Sequence, residues 1–164
     1  MRKIVFLLII SLCSVASGQV YLKEAGFRTG LTPGLLLRVN LEEELSYDML
    51  LSFRGAGAQL HLIRQVNNEL MYTRTGTLHL FYGFGAHAGF SFTDHYNILF
   101  RTIYFGQRVF SPLAGVDGYA SVEYRLFDAP FSFGLDFKPY MEVSLSQIFT
   151  VNIWDFALTA RYRF

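Results

Sequence analysis

Apolar residues recur at every second position along much of this chain, the spacing of β-strands with one apolar and one polar face. From Thr77 to Phe92, residues Leu78, Leu80, Tyr82, Phe84, Ala86, Ala88, Phe90 and Phe92 share one face. Thr77, His79, Gly83, Gly85, His87, Gly89 and Ser91 share the other, with Phe81 the one exception. The same alternation predicts a strand over 114–126, where Val116, Ala120, Val122 and Tyr124 oppose Asp117, Ser121, Glu123 and Arg125. Over 131–143, Phe131, Phe133, Leu135, Phe137 and Met141 oppose Ser132, Gly134, Asp136, Lys138 and Glu142. Earlier, Leu45, Tyr47, Met49, Leu51 and Phe53 oppose Ser46, Asp48, Ser52 and Arg54, and Leu60, Leu62 and Val66 oppose Gln59, His61 and Gln65. The last segment sets Trp154, Phe156, Leu158, Ala160, Tyr162 and Phe164 against Asp155, Thr159, Arg161 and Arg163.

Composition changes what this alternation means. The chain is 52% hydrophobic, 17% aromatic and only 16% charged, against about 25% charged in an average globular chain. Some apolar surface therefore faces something other than water. Residues 1–18 account for part of the excess: Arg2 and Lys3, the apolar run Ile4 to Leu12 and the small residues Ala16-Ser17-Gly18 have the layout of a secretory signal peptide. Cys13 follows the bulky Leu12, which argues against a lipoprotein signal. The remainder, 19–164, is read as one domain without cysteine, hence without a disulfide or a thiolate site. A net charge of +1 supplies no basic field for nucleic acid. Nor does the remainder hold an apolar run long enough for a membrane helix, so entry into a bilayer requires a closed barrel.

The expected fold class is all-β, an antiparallel up-and-down transmembrane β-barrel. Gly30, Gly83, Gly85, Gly89 and Gly134 lie on the polar face, which suits a narrow polar interior with the apolar face turned to lipid. Alternation alone leaves open a secreted soluble ligand-binding barrel with the faces reversed. Six segments follow from Leu45 onward, and an even count requires two more from 20–39, giving eight strands, with seven as the other count. Around Thr32-Pro33-Gly34 the phase fits either a hairpin pairing Leu31 with Leu35 or one long bent strand. Residues 93–111 form the longest expected connection, with another near Gln147. Phe127 to Pro130 is a short turn, and 67–76 is a connection uncomfortably long for its side.

The end of the chain, Ala160-Arg161-Tyr162-Arg163-Phe164, resembles the terminal assembly signal of small outer-membrane β-barrel proteins. Gly83-Phe84-Gly85-Ala86-His87, Gly115-Val116-Asp117-Gly118 with Glu123-Tyr124, and Asp136-Phe137-Lys138-Pro139 also resemble recurring elements of this eight-stranded, opacity-protein-like family. The resemblance implies a gram-negative cell outer membrane, with membrane lipid and the barrel-assembly machinery as partners and Tyr162 and Phe164 as the assembly signal. It carries no catalytic residues.

The inward positions collect Arg28, Arg38, Arg54, Arg125, Lys138, Arg161 and Arg163 against Asp48, Asp117, Glu123, Asp136, Glu142 and Asp155. In so narrow an interior these are expected to pair as a crosslinked polar network. His79 and His87 lie about 26 Å apart along one strand, too far to share a metal ion. His61 approaches one of them only if the strand register allows it. His87 and Ser91 are about 13 Å apart on one face and cannot pair. No nucleophile elbow or phosphate loop is present. The reading therefore assigns no catalytic, cofactor or metal residue and expects a structural or surface-interaction role. A lipid-modifying enzyme using Ser, His and an acidic residue stands as the alternative. Tyr96, Arg101, Tyr104 and Arg108 in the 93–111 segment are the candidate contacts for an extracellular protein or glycan.

Overall fold

The computed structural model describes residues 23–42, 44–54, 56–98, 101–145 and 149–164, with the backbone alone for 93–98 and 101–107. The signal peptide assigned to 1–18, Cys13 and the connection near Gln147 lie outside the described residues. Ten strands are present among them: β1 (Lys23–Arg28), β2 (Gly34–Asn40), β3 (Leu45–Arg54), β4 (Gly57–Tyr72), β5 (Gly76–Ile98), β6 (Arg101–Leu126), β7 (Phe131–Phe137), β8 (Tyr140–Ser144), β9 (Thr150–Asn152) and β10 (Phe156–Arg163). They form one antiparallel sheet in the order β5-β4-β3-β2-β1-β10-β7-β6-β8-β9, and β5 also pairs with β6.

Three local expectations change. Residues 93–98 and 101–111 are strand: β5 and β6 stay paired out to Ile98 opposite Arg101, with one register shift between Thr93 and His95. The β-branched and aromatic content of Thr102-Ile103-Tyr104-Phe105 and Val109-Phe110 favours such extended pairing. The 67–76 connection shrinks to a turn at 73–75, because β4 runs through Asn67, Asn68 and Glu69 and absorbs the mismatch as a register shift between Glu69 and Met71. At the turn, the Thr73 N–H donates to the Gly76 carbonyl at 2.9 Å. Finally, β1 and β2 pair Phe27 with Leu35 and Arg28 with Gly34, so Leu31 belongs to the connection and not to the ladder. Gly30 reverses the chain there at φ 127°, a left-handed conformation that favours glycine.

The ladder branches at one place that matters for the site. β6 carries β7 along one part and β8 along another. Phe156 opposes Phe137, whereas Asn152 opposes Tyr140. Three residues, 153–155, thus face two, 138–139, a β-bulge that separates β9 from β10 and β8 from β7. Pro139 has no N–H to give the ladder. The Lys138 N–H donates to the Asp155 carbonyl at 2.9 Å, and the Gly118 N–H to the Pro139 carbonyl at 2.8 Å.

One face of the sheet is polar and buried. Glu24, Arg28, Arg38, Asp48, Glu123, Asp136, Lys138, Asp155 and Arg161 are all shielded from solvent. Arg38 donates to Glu123 at 2.5 and 2.7 Å and to Glu24 at 3.1 Å, while Arg161 donates to Asp48 at 2.7 Å. A small apolar cluster of Ile63, Phe81 and Tyr119 sits among these charges, with the Arg38 guanidinium 4.0 Å from the Phe81 ring centre. Phe27, Leu35, Met49, Leu60, Phe84 and Phe133 on the opposite face are exposed.

This architecture corrects the eight-stranded up-and-down transmembrane barrel. The described sheet has ten strands, its order runs past β6 into β8 and β9, and the strand expected over 131–143 is broken at the bulge. The same sheet corrects the outer-membrane location, the lipid and assembly-machinery partners and the extracellular protein or glycan partner, which rest on that barrel and its resemblance. No helix among the described residues is long and apolar enough to cross a membrane. The buried polar face is also more than a set of crosslinks, since it assembles the cluster described next.

Candidate functional site

Strand register brings together residues that lie far apart in sequence. His61 on β4 stands directly opposite His87 on β5. On the next strand, Gly115 of β6 is opposite His87 and Asp117 is opposite Gly85, which makes Asp117 the diagonal neighbour of His87. On the other side, Leu50 of β3 is opposite His61, which makes Ser52 its diagonal neighbour. Period-two alternation points all four side chains to the polar face, and all four are buried.

The Asp117 carboxylate is the hub. His61 Nδ1 lies 2.9 Å and His87 Nδ1 3.0 Å from the same oxygen, Oδ2. The far nitrogens also face oxygens: His61 Nε2 is 2.9 Å from Ser52 Oγ, and His87 Nε2 is 3.4 Å from Glu142 Oε2. Glu142 is held in turn by Arg54 Nη2 at 2.7 Å. The two imidazole centres are 4.7 Å apart and the planes tilt by 40°.

The β-bulge delivers a cation to this hub. Lys138 Nζ is 3.5 Å from Asp117 Oδ1 and 3.3 Å from Asp155 Oδ2, so the irregular backbone places an ammonium between two carboxylates. Burial pushes the Lys138 ammonium down from its usual range. Burial alone would raise Asp117, but the imidazole hydrogen bonds and Lys138 outweigh it and hold the carboxyl below the usual carboxylate range. Burial lowers His61 despite its bond to Asp117. For His87 burial acts in the same direction, yet its bonds to Asp117 and Glu142 prevail and raise it.

Gly115 is a spatial requirement of the site. A Cβ built there would lie 2.5 Å from His87 Cε1 and would clash with the Met141 carbonyl oxygen. Gly115→Ala is therefore expected to displace the His87 ring and to cost about 1–3 kcal/mol as an overpacked core does. Chemical denaturation reads the stability loss, and the imidazole NMR shifts of His87 read the displacement.

The sequence alone assigns no enzyme, and the convergence of His61, His87 and Asp117 corrects this as positive evidence for a potential catalytic or cofactor site. The sequence places Asp117, Lys138 and Glu142 on the inward face; Asp117 bonds both histidines, Glu142 faces His87 and Lys138 lies beside Asp117. Arg28 and Asp155 pair at 3.2 Å, Arg28 and Asp136 lie 3.6 Å apart, and Asp48, Glu123 and Arg161 form the network around Arg38 away from the hub. Arg125 reaches Glu24 at 2.6 Å, and Arg163 donates to the Leu126 and Ala129 carbonyls. Glu24 was missed, although two-residue steps back from Arg28 reach it. His79 bonds Thr77 and Asn67, outside the cluster. Tyr162 and Phe164 stack at 6.3 Å on the exposed face. The backbones of Tyr96, Arg101 and Tyr104 lie in the β5–β6 hairpin, their side chains fall outside the description, and Arg108 is exposed. No protein-family model, curated protein or solved structure matches the chain.

Proposed function

We propose that this protein binds a divalent transition-metal ion of the zinc class through His61, His87 and Asp117. The observation that carries the reading is the convergence of two imidazole nitrogens and one carboxylate oxygen within 4.8 Å of one another. Small side-chain rotations bring such a set to the roughly 2.0–2.2 Å of zinc ligation. Two histidines and one carboxylate suit zinc or another borderline divalent metal, whereas calcium and magnesium prefer all-oxygen shells.

The surroundings support it. Ligating imidazoles characteristically have the second nitrogen held by an oxygen partner, which fixes ring orientation. Ser52 meets His61 in this way and Glu142 faces His87. Three protein ligands leave a coordination position open, the arrangement of a catalytic rather than a closed structural site. Lys138 beside Asp117 opposes the ion electrostatically, which favours an exchangeable metal over a permanently trapped one.

Calorimetric titration of chelator-treated protein with zinc tests the reading. One ion bound per chain, together with a rise in melting temperature that grows with zinc concentration, is the expected result. Ser52→Ala should weaken binding about 10–100-fold, the cost of losing an outer-shell partner. Absence of saturable heat with folded protein would remove the proposal.

A further inference from the structure

We infer that, in the metal-free protein, Ser52, His61 and Asp117 form a nucleophile relay able to accept an acyl or sulfonyl group on Ser52 Oγ. Two distances carry the inference: Ser52 Oγ to His61 Nε2 is 2.9 Å, and His61 Nδ1 to Asp117 Oδ2 is 2.9 Å. A single tautomer satisfies both contacts. His61 carries its proton on Nδ1 and donates to the carboxylate, which leaves Nε2 as the acceptor for the serine hydroxyl. The opposite tautomer would aim a bare nitrogen at a carboxylate and is electrostatically disfavoured. A serine on a base that is itself oriented by a third group is the general arrangement of activated hydroxyl nucleophiles.

These residues occupy adjacent strands β3 and β4 with Asp117 reaching in from β6, so the relay is set by sheet register and not by a loop. Asp117 also contacts His87 Nδ1 at 3.0 Å and faces Lys138, contacts that fix its carboxylate as the positioning partner of His61. Toward a carboxylic ester the step balances as follows. Ser52 Oγ bonds to the carbonyl carbon while its proton passes to His61 Nε2. The tetrahedral adduct expels the alcohol oxygen, which takes that proton, and an acyl-serine remains. Water then attacks the acyl carbon, giving its proton to His61, and Ser52 leaves with that proton as the acid is released.

The metal reading and the relay make separate claims on His61, and they are tested separately. Metal binding is read by zinc calorimetry. The relay is read on chelator-treated full chain with phenylmethylsulfonyl fluoride, where Ser52 Oγ bonds to sulfur, its proton passes to His61 Nε2 and fluoride leaves. The expected result is one sulfonyl group per chain, located by peptide mass spectrometry at Ser52, with the rate falling at least about 100-fold in His61→Gln. Circular dichroism establishes that this variant is folded. Asp117→Asn supplies a second variant, expected to slow the modification through loss of the oriented tautomer. If folded wild-type protein leaves Ser52 unmodified, or if folded His61→Gln reacts at the wild-type rate, the relay is overturned whatever the zinc titration shows.

Discussion

Arg38→Ala is expected to destabilise the protein by about 3–5 kcal/mol, the cost of removing one partner from a buried ion network. Arg38 is fully buried and bonds both oxygens of Glu123 together with one oxygen of Glu24. It also covers the Phe81 ring, one of the few apolar side chains on this face. Deleting the guanidinium leaves three buried carboxylates, Glu24, Asp48 and Glu123, with one cation fewer. Arg125 still reaches Glu24 and Arg161 still lies 3.5 Å from Glu123, so the loss is partial relief and not collapse of every pair. Arg38→Lys should recover only part of the stability, because a point charge cannot reproduce the two-pronged contact with Glu123. Urea denaturation of the two variants beside wild type measures both expectations. A change below about 1 kcal/mol for Arg38→Ala would mean that the network does not hold this face together.

Asp117→Asn is expected to reduce zinc affinity by more than the roughly 10–100-fold assigned to an outer-shell partner, since it removes a ligand carboxylate. The substitution keeps the shape but deletes the negative charge that faces His61, His87 and Lys138 together. Lys138 then stands beside the metal position with only Asp155 to balance it. Competition titration against a chromogenic chelator measures the ratio. An unchanged affinity in folded Asp117→Asn would exclude Asp117 as a ligand.

Much of the sheet was legible because alternation needs only local sequence. The phase that separates Leu51 and Phe53 from Asp48 and Ser52, or Val116 and Val122 from Asp117 and Glu123, reappears as exposed and buried faces. Strand ends were less legible. Asn67, Asn68 and Glu69 look like a connection by composition, yet pairing with Phe81, Leu80 and His79 holds them in β4. The bulge was invisible to alternation, because Lys138 and Asp155 keep inward phase on either side of the slipped ladder. Pro139, which cannot donate to a neighbour, was its one local sign.

The site was hidden for a different reason. His87 was weighed against His79 and Ser91 along its own strand, where extended spacing keeps them apart. The relevant partners are across the sheet, and a one-residue change of register would send His61 to the opposite face from His87. Nothing within a single segment fixes that register. The pairing of Ala58 with Phe90 and of Leu60 with Ala88 sets it once the strands are assembled. Ser52 escaped notice for the same reason, being diagonal to His61 across β3 and β4.

Anomalous X-ray scattering from zinc-soaked crystals decides whether His61, His87 and Asp117 hold one metal ion. The predicted result is one strong zinc peak, at about 2.0–2.2 Å from His61 Nδ1, His87 Nδ1 and an Asp117 carboxylate oxygen. A saturating soak that leaves this position empty, or places zinc on other side chains alone, would mean that these three residues do not bind the metal.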